Sequence, residues 1–400
     1  MHNLDTLPEL DVTASDFLRD PPAALQSALS ISPIWRSARG IELLSYQSCH
    51  AASRDDRMWV NNLKDVEALG IPEGPIMEFK RRMILGQGFT EDRKAIRETL
   101  GRTLGLRVAH DMRPVIQQLV NSLLNDVAFD DRSAPVDFLN AFCTLLPARL
   151  YCHWVGAPHS DAPFAARMSE AVMRIFLQRS SDVPIIVAAY EELFPYVARQ
   201  MQEARRKPQN NILGQLASEV DRGSLTEIQA QDFAIMLLEA SIENSAQQLA
   251  LVVGAILENP VTWNALVNMP NLIPKAVQEA IRLNSRVGRL KRYTREAIDI
   301  DGLTIPAETS VILNSWSANR DKSVFPEPDQ FLLDRPDQAR ILTFGGGSFS
   351  CLGQFVAVIE IEETLRILTA HFPKTKICHF DTSFSPVRKS CNALQVHLRS

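Results

Sequence analysis

At residues 344–353 the chain reads Phe344-Gly345-Gly346-Gly347-Ser348-Phe349-Ser350-Cys351-Leu352-Gly353. Three consecutive glycines allow positive φ angles and let the backbone approach a flat ligand closely. A long helix is predicted from about Leu352 to His371, so the cysteine stands at its amino end. There, free N–H groups and the helix dipole favour an anion such as a thiolate. Taken alone, the same pattern is also typical of a glycine turn beside a buried cysteine.

The residues before this loop add a second motif and a β-rich region. In Glu279-Ala280-Ile281-Arg282 the spacing places a carboxylate and a guanidinium on one helical face, where they can pair. Two short β-prone runs about Asp301-Gly302 predict a hairpin over 298–305, and 311–314 predicts another strand. A proline-rich meander follows at 325–329. Glu-x-x-Arg by itself carries little weight, because charged helix faces produce it constantly.

Upstream of these motifs the chain is predicted to be almost entirely helical. Apolar residues recur at three- and four-residue spacing in the segments 106–128, 136–153, 163–180 and 184–206. The clearest helix has a capping-box pattern at Ser224-Leu225-Thr226-Glu227 and runs to Asn259-Pro260, where proline stops it. Much of it is apolar on every side, which predicts a passage through the core. The predicted fold class is mainly α with a small β-rich region.

Together these features resemble the cytochrome P-450 superfamily, and in particular its soluble bacterial-type haem-thiolate monooxygenases. The loop is similar to the family's cysteine-ligand signature, Phe-Gly-x-Gly-x-(His/Arg)-x-Cys-x-Gly, and residues 279–282 match its Glu-x-x-Arg motif. The resemblance covers about residues 85–400, and residues 1–80 match only weakly. It implies the cytochrome P-450 fold as a single haem domain over 1–400, with the haem sandwiched between the core helix and the cysteine loop.

The resemblance also implies roles for individual residues around a haem b cofactor. Cys351 is the axial thiolate ligand to the iron, a ligand type that favours O–O cleavage. The other residues expected at the cofactor, from the loop and at the propionates, are Phe344, Gly345, Gly353, Arg93, Arg97 and Arg292. Glu279, Arg282 and Arg335 are implied to form a structural network that holds the cysteine loop and takes no part in catalysis.

Two positions depart from the family pattern. Phe349 stands where the family has a histidine or arginine in contact with a propionate, a contact that phenylalanine cannot make. Residues 240–244 of the core helix read Ala-Ser-Ile-Glu-Asn and align with Ala-Gly-x-(Glu/Asp)-Thr, whose acid and hydroxyl relay protons. An amide cannot donate a proton as an acid does. Glu243, Asn244 and Ser245 are therefore the catalytic candidates, with a water or a substrate hydroxyl completing the chain. The alternative is a satisfied polar kink in a buried helix.

The expected substrate pocket is apolar. The resemblance places around it Met77, Phe79, Met83, Ala240 and Val287. Among the first three lies the basic triplet Lys80-Arg81-Arg82. One interpretation of the triplet is a solvated basic turn. The other is that one of its arginines holds the carboxylate of a lipophilic acid in a bidentate pair.

Composition narrows the class of protein. The 400 residues include 46% hydrophobic and 22% charged residues, which is ordinary globular usage, and a net charge of −5 argues against a nucleic-acid binder. No basic and apolar leader opens the sequence and no unbroken apolar span occurs, so we expect no membrane association and a cytoplasmic location. The six cysteines lack CxxC spacing, which is typical of reduced thiols. Cys152-His153 and Cys378-His379 are interpreted as packing rather than as metal sites.

The activity implied by the resemblance is insertion of one oxygen atom from dioxygen into a lipophilic small molecule, such as a terpenoid or another secondary metabolite. Electrons are expected from a separate ferredoxin and its ferredoxin reductase, and the protein is expected to be a monomer. The predicted docking surface for the ferredoxin is formed by Arg93, Lys94, Arg97 and Arg102. Asn244 keeps two alternatives open. One is a haem-thiolate enzyme that uses peroxide or catalyses a rearrangement or coupling, and the other is a non-catalytic haem-binding protein.

Overall fold

The computed structural model describes residues 4–83, 97, 101, 104–128, 134–335 and 341–399. The chain forms two compact units. The first unit comprises Met1–Val60, Ala250–Gln354 and Thr364–Ser400, and the second comprises Asn61–Leu249 and Phe355–Glu363. The predicted class, mainly α with a small β-rich region, is confirmed.

The helices of the described residues are, in chain order, α1 (Ser15–Arg19), α2 (Pro21–Leu29), α3 (Tyr46–Ala52), α4 (Asn62–Leu69), α5 (Pro75–Arg82), α6 (Leu106–Asp111), α7 (Arg113–Ala128), α8 (Leu145–Val155), α9 (Ala162–Met173), α10 (Val183–Arg206), α11 (Ile212–Asp221), α12 (Glu227–Ser241), α13 (Glu243–Leu257), α14 (Pro260–Asn268), α15 (Ile273–Leu283), α16 (Ser315–Ala318) and α17 (Gln354–His371). The strands are β1 (Ile34–Ser37), β2 (Gly40–Leu43), β3 (Met58–Trp59), β4 (Val136–Asp137), β5 (Arg289–Thr294), β6 (Ile298–Ile300), β7 (Leu303–Ile305), β8 (Ser310–Asn314), β9 (Lys376–Phe384) and β10 (Lys389–His397).

The first unit is built on a five-stranded sheet with the strand order β1-β2-β8-β5-β3. Strands β2 and β8 run parallel, and the other neighbours are antiparallel. The strand predicted at 311–314 is β8, in the centre of this sheet. Its residues Val311, Ile312 and Leu313 are all buried, as expected for a strand that is covered on both faces. Apolar side chains of β1, β2 and β8 form one core together with Leu303 and Ile305.

The hairpin predicted over 298–305 is confirmed. Strand β6 pairs with β7, and Ile298 lies opposite Ile305. At its turn, Asp301 and Gly302 have φ angles of +50° and +77°, the backbone of a type I′ turn. A second antiparallel pair, β9 with β10, has no clear signal in the sequence. None of the β9 residues is fully buried. The strand therefore lacks the buried face that gives other strands a regular alternation of apolar and polar residues.

The second unit is helical, as predicted, but several of its helices begin or end elsewhere. The segment 184–206 is confirmed as α10, whereas 106–128 forms two helices, because Pro114 in the first turn of α7 starts a new one. The predicted start at residue 136 is wrong, since a two-residue strand and a π-helical turn at Leu139–Cys143 precede α8. In the segment 163–180, helix α9 ends at Met173 and a 3-10 turn follows it.

The predicted cap of the core helix is also wrong by two residues. The Thr226 hydroxyl accepts from the Gln229 N–H at 3.2 Å, and the Gln229 side chain accepts from the Thr226 N–H at 2.8 Å. This reciprocal capping box starts α12. At the other end, Asn259 caps α14, which Pro260 begins. Pro260 therefore begins α14, in addition to preventing the core helix from continuing.

Among the described residues, no single helix is long and apolar enough to cross a membrane. Glu227–Leu257 and Pro260–Asn268 meet the length and composition only as a pair, which is bent by 96°.

Candidate functional site

Cys351 lies on a tight loop of the first unit. Its N–H donates to the Phe344 carbonyl at 2.8 Å, and the Gly345 N–H donates to the Leu342 carbonyl at 2.9 Å. Gly345 has a φ angle of +70°, which favours glycine. The Cys351 side chain is exposed, and the buried cysteines are Cys49, Cys143, Cys152 and Cys391. Helix α17 begins at Gln354 rather than at Leu352, so the cysteine shortly precedes its amino end.

The glycines around the cysteine serve different purposes. A Cβ on Gly346 would lie 2.5 Å from the Ser53 hydroxyl oxygen, and one on Gly347 would lie 2.7 Å from the Ser53 carbonyl oxygen. Packing of the loop against the chain itself therefore requires glycine at both positions, whether or not a ligand lies nearby. A Cβ on Gly353 would meet no atom within 4 Å. The backbone of Gly353, two residues after Cys351, therefore borders open space.

Glu279, Arg282 and Arg335 form one buried ion-pair network. The Arg282 guanidinium donates to both Glu279 carboxylate oxygens at 2.8 Å, and Arg335 Nε donates to Glu279 Oε1 at 2.8 Å. None of the three side chains is more than 1% exposed. Burial by itself would raise the pKa of Glu279, but hydrogen bonds and charge from the two arginines lower it below its ordinary value. The carboxylate is therefore ionised and paired at neutral pH.

The network reaches the cysteine loop through Asn319. Arg282 Nη1 donates to the Asn319 carbonyl at 2.8 Å. The Asn319 side chain accepts from the Leu342 N–H at 2.7 Å and donates to the Thr343 hydroxyl at 3.0 Å. Arg335 binds the meander by donating to the carbonyls of Pro326, Glu327 and Gln330. Asn319 was not predicted, because an asparagine after a short helix has the same sequence signal as an ordinary turn residue.

Arg292 lies beside the cysteine loop. Its guanidinium carbon is 5.1 Å from the centre of the Phe349 ring, and the residue is buried. Phe349 thus holds a cation over its ring face, where the family has a polar side chain. Arg97 is a half-buried helical residue. Outside the described residues lie Arg93, Lys94 and Arg102.

The core helix of the second unit is interrupted at Ile242, between α12 and α13. In a continuous helix the Glu243 N–H would donate to the carbonyl four residues earlier. Here it donates to the hydroxyl of Ser169, a buried residue of α9, at 3.1 Å. The buried Ser241 hydroxyl has no hydrogen-bond partner among the described residues. The prediction of one continuous helix is therefore wrong, and nothing in the sequence marks Ser169 as the residue that satisfies the break.

A cavity of about 190 Å³ lies within the second unit beside this break. Asn244 lines it, and its apolar wall includes Val66, Met83, Met173, Phe176, Met236 and Ala240. Of the residues predicted to surround the substrate pocket, Met83 and Ala240 line this cavity. Met77 and Phe79 do not, because both are buried in the core. The Phe79 ring packs against the Tyr190 and Phe194 rings at 5.9 Å. Val287 belongs to the first unit, where it forms an isolated β-bridge with Arg388. Ser245, the third catalytic candidate, is half-buried on the first turn of α13.

Of the basic triplet, only Lys80 lines the cavity. Arg81 forms an ion pair with Glu73, and Arg82 forms one with Asp232, each at 2.7 Å. Neither arginine lines the cavity and each pairs with a carboxylate of the chain, which argues against the prediction that one of them holds a ligand carboxylate. Lys80 is itself paired with Glu239.

The described residues contain no group of three or more His, Cys, Asp or Glu side chains that could hold a metal ion. Burial raises the pKa of the Cys152 thiol to about 12, so that side chain is neutral and packed in the core.

Comparison with known proteins agrees with the geometry. The sequence profile of the cytochrome P-450 family matches residues 247–383. Nocardicin C N-oxygenase of Nocardia uniformis subsp. tsuyamanensis is 30% identical over 285 residues, which is 70% of each chain. The 20-oxo-5-O-mycaminosyltylactone 23-monooxygenase of Streptomyces fradiae is 30% identical over 70% of this chain and 66% of its own length. Among solved structures, cytochrome P450epoK bound to epothilone D has a TM-score of 0.87 at 22% identity, over 98% of this chain and 99% of the other. The chain therefore belongs to the cytochrome P-450 family, whose enzymes hold a haem iron through a cysteine thiolate.

Proposed function

We propose that this chain is a haem-thiolate monooxygenase that inserts one oxygen atom from dioxygen into a lipophilic small molecule. The observation that carries the proposal is the exposed Cys351 side chain, on a loop that Asn319 ties to a buried ion-pair network. An exposed thiol on a fixed backbone is suited to hold a metal rather than to pack in a core. The relatives' names support this, since they include a 23-monooxygenase and the mycinamicin IV hydroxylase/epoxidase of Micromonospora griseorubida.

The described residues fit a haem b cofactor. The exposed Cys351 supplies the soft thiolate ligand that haem iron accepts, and Gly353, two residues later, borders open space. Arg292, next to the loop, is proposed to pair with a propionate, with Arg97 and Arg93 as further partners. When bound, the haem supplies the oxygen chemistry, while the protein supplies the ligand, the pocket and the proton path.

Proton delivery is proposed to start from the break in the core helix. Glu243 is the acidic residue at the break, and Ser169 holds its N–H. Asn244 lines the cavity and can orient a water or an oxygen atom through its amide, but it cannot donate a proton as an acid does. Ser245, a water or a hydroxyl group on the substrate would complete the path.

The proposed substrate is a terpenoid or another lipophilic secondary metabolite. The largely apolar lining of the cavity supports this class, and the relatives include pentalenic acid synthase of Streptomyces avermitilis. Two electrons are proposed to come from ferredoxin reductase through a ferredoxin that docks on the basic cluster of Arg93, Lys94, Arg97 and Arg102. The enzyme is proposed to act as a monomeric, cytoplasmic, single haem domain that binds neither nucleic acid nor membranes.

The test of this proposal is spectroscopic. The reduced, carbon-monoxide-bound protein should show the red-shifted Soret band of thiolate-ligated haem. Cys351→Ser should lose this band, whereas Cys378→Ser, which changes another exposed cysteine, should keep it. A wild-type spectrum typical of histidine ligation would refute the proposal.

One observation favours a second candidate function. An amide, Asn244, lines the cavity where a hydroxyl residue would assist a monooxygenase. This suits an enzyme that uses peroxide or catalyses a rearrangement or coupling. Turnover with a surrogate ferredoxin and reductase, run beside turnover with peroxide, separates the two. A protein that binds haem but turns over under neither condition is a non-catalytic haem binder.

A further inference from the structure

A buried ion pair reaches the cavity of the second unit. Lys80 Nζ lies 3.0 Å from both carboxylate oxygens of Glu239, and each side chain is 9% exposed. The fully buried Tyr190 hydroxyl also donates to Glu239. Both Lys80 and Glu239 line the cavity, as Asn244 and Ala240 also do. The wall of this largely apolar pocket therefore includes an ion pair whose two charges neutralise each other.

Stability alone does not explain this pair. Removing two charges from water costs more than their attraction returns unless the geometry is excellent, and a hydrophobic pair of similar volume is often as stable. The position of the pair at the cavity wall suggests a role toward the ligand. Apolar pockets commonly use a small number of placed polar groups to orient and select what they bind.

Counting hydrogen-bonding groups shows what the pair can still bind. The Glu239 carboxylate already accepts from both Lys80 and Tyr190. An ammonium group has three N–H donors, and the two contacts with Glu239 use two of them. The remaining donor suits an acceptor oxygen of a ligand. The faces of the Phe79 and Tyr190 rings, at 4.9 and 5.2 Å, help to hold the ammonium group at this position.

The local charge selects against ions. The charges of Lys80 and Glu239 cancel, and both residues line the cavity. A ligand carboxylate would be desolvated beside the Glu239 carboxylate, and the Lys80 ammonium group that could compensate it is already paired, which is unfavourable. A ligand cation would compete with Lys80 for a carboxylate whose oxygens are both engaged. A neutral carbonyl or hydroxyl oxygen avoids both costs.

We propose, on the basis of the proposed monooxygenase function, that Lys80 and Glu239 determine substrate specificity. The pair selects an apolar substrate that carries a neutral carbonyl or hydroxyl oxygen, which accepts a hydrogen bond from Lys80. It discriminates against carboxylates and quaternary ammonium groups. Anchoring at this single point orients the apolar remainder of the substrate against the wall formed by residues such as Met83, Met236 and Phe176.

The test uses a matched series of compact probes on the adamantane skeleton with the haem-loaded protein. The probes are 2-adamantanone, its oxygen-free isostere 2-methyleneadamantane, adamantane-1-carboxylate and N,N,N-trimethyladamantan-1-aminium, which cannot ligate iron. Calorimetry gives the affinities. The ketone should bind about tenfold more tightly than each of the others, the equivalent of about 1.4 kcal/mol. Equal or tighter binding of either ion, or of the oxygen-free isostere, in the wild-type protein would overturn the proposal.

A double variant, Lys80→Met with Glu239→Met, removes both charges together, since removing one would leave the other buried and unpaired. It should bind the ketone and its isostere with equal affinity. The matched control is Arg81→Met with Glu73→Gln, an exposed pair that does not line the cavity, which should keep the tenfold preference. A preference that survives in the double variant contradicts the proposal, and the wild-type series decides even where that variant does not fold.

The carbon monoxide spectrum of the same samples separates two kinds of failure. Absence of the thiolate band in the wild-type protein would remove the proposed function. A normal band without a preference for the ketone would remove only the specificity assigned to Lys80 and Glu239.

Discussion

Replacing Glu279 by glutamine removes the one carboxylate that two buried arginines share. Arg282 and Arg335 would keep their carbonyl partners, but both guanidinium charges would remain in a site that is no more than 1% exposed. Removing one partner of a buried ion pair costs about 3–5 kcal/mol. Because both arginines lose their carboxylate here, we expect a loss of about 5 kcal/mol in the free energy of unfolding of the first unit.

The same residue makes stability depend on pH. The pKa of Glu279 is lowered from its ordinary value of 4.5, since the arginines outweigh the effect of burial, which would raise it. A lowered carboxyl pKa contributes stability that is fully present above the unfolded-state pKa and is lost as the pH falls through the folded-state pKa. The wild-type protein loses this contribution in acid, whereas the Glu279→Gln variant has none to lose. The difference in the free energy of unfolding between the wild-type protein and the variant should therefore narrow as the pH falls below about 4.5.

Urea unfolding followed by tryptophan fluorescence, at pH 7 and again in acid, measures both effects. The control is Glu73→Gln, which breaks the exposed pair with Arg81 and should change stability little. The fraction of haem retained gives a second readout, because the network holds the cysteine loop through Asn319. If Glu279→Gln is no less stable than Glu73→Gln at pH 7, the buried network does not stabilise this region and the reasoning fails.

Three further predictions concern the second unit. Ser169→Ala removes the acceptor for the Glu243 N–H and should cost about 1–3 kcal/mol in urea unfolding, whereas Ser241→Ala, which removes a buried hydroxyl, should change stability by less than about 0.5 kcal/mol. Glu243→Gln should slow product formation with little effect on substrate binding, and Asn244→Ala should divert electrons to peroxide. Unaltered product per NADH consumed in both variants would show that this helix does not deliver the protons. Burial raises the pKa of Glu360 to about 8, so its contribution to stability is present below the unfolded-state value of 4.5 and is lost as the pH rises through 8. In a Glu360→Gln variant the free energy of unfolding should fall less between these two pH values than in the wild-type protein. An unchanged dependence of the unfolding free energy on pH would contradict this prediction.

The cysteine loop and its ion-pair network were predictable because their signals are local or belong to a family pattern. Glu279 and Arg282 lie three residues apart on one helix, which is enough to place them on one face. Asn319 was not predictable, because its role consists of hydrogen bonds to residues that are distant in sequence. The contact of Arg292 with Phe349 is of the same kind. The sequence showed that phenylalanine could not bind a propionate, but not which cation would lie over its ring.

The core helix shows two limits of local patterns. Residues 224–229 read Ser-Leu-Thr-Glu-Ile-Gln, so two overlapping capping boxes satisfy the same rule two residues apart. The backbone selects the second, formed by Thr226 and Gln229. The break at Ile242 is not encoded by a proline or glycine. At the break, α9 brings Ser169 to the Glu243 N–H, and the serine hydroxyl is the acceptor in place of the helical carbonyl.

The basic triplet shows what sequence reasoning could have used and did not. Consecutive residues on a helix point about 100° apart, so Lys80, Arg81 and Arg82 cannot all face the interior. The side chain that faces the interior is the one that can reach a buried anion, and the sequence contains a candidate for this anion. Glu239 lies in the apolar stretch of α12, and a buried carboxylate needs a cationic partner. Of the three cations, the lysine has the most compact charge, and it is the one that pairs with Glu239 at the cavity wall. The arginines pair with Glu73 and Asp232, and neither of these pairs lines the cavity. In the proposed site a substrate would therefore meet an ion pair without net charge rather than a free guanidinium, which is why the proposal names a neutral oxygen compound and not an acid.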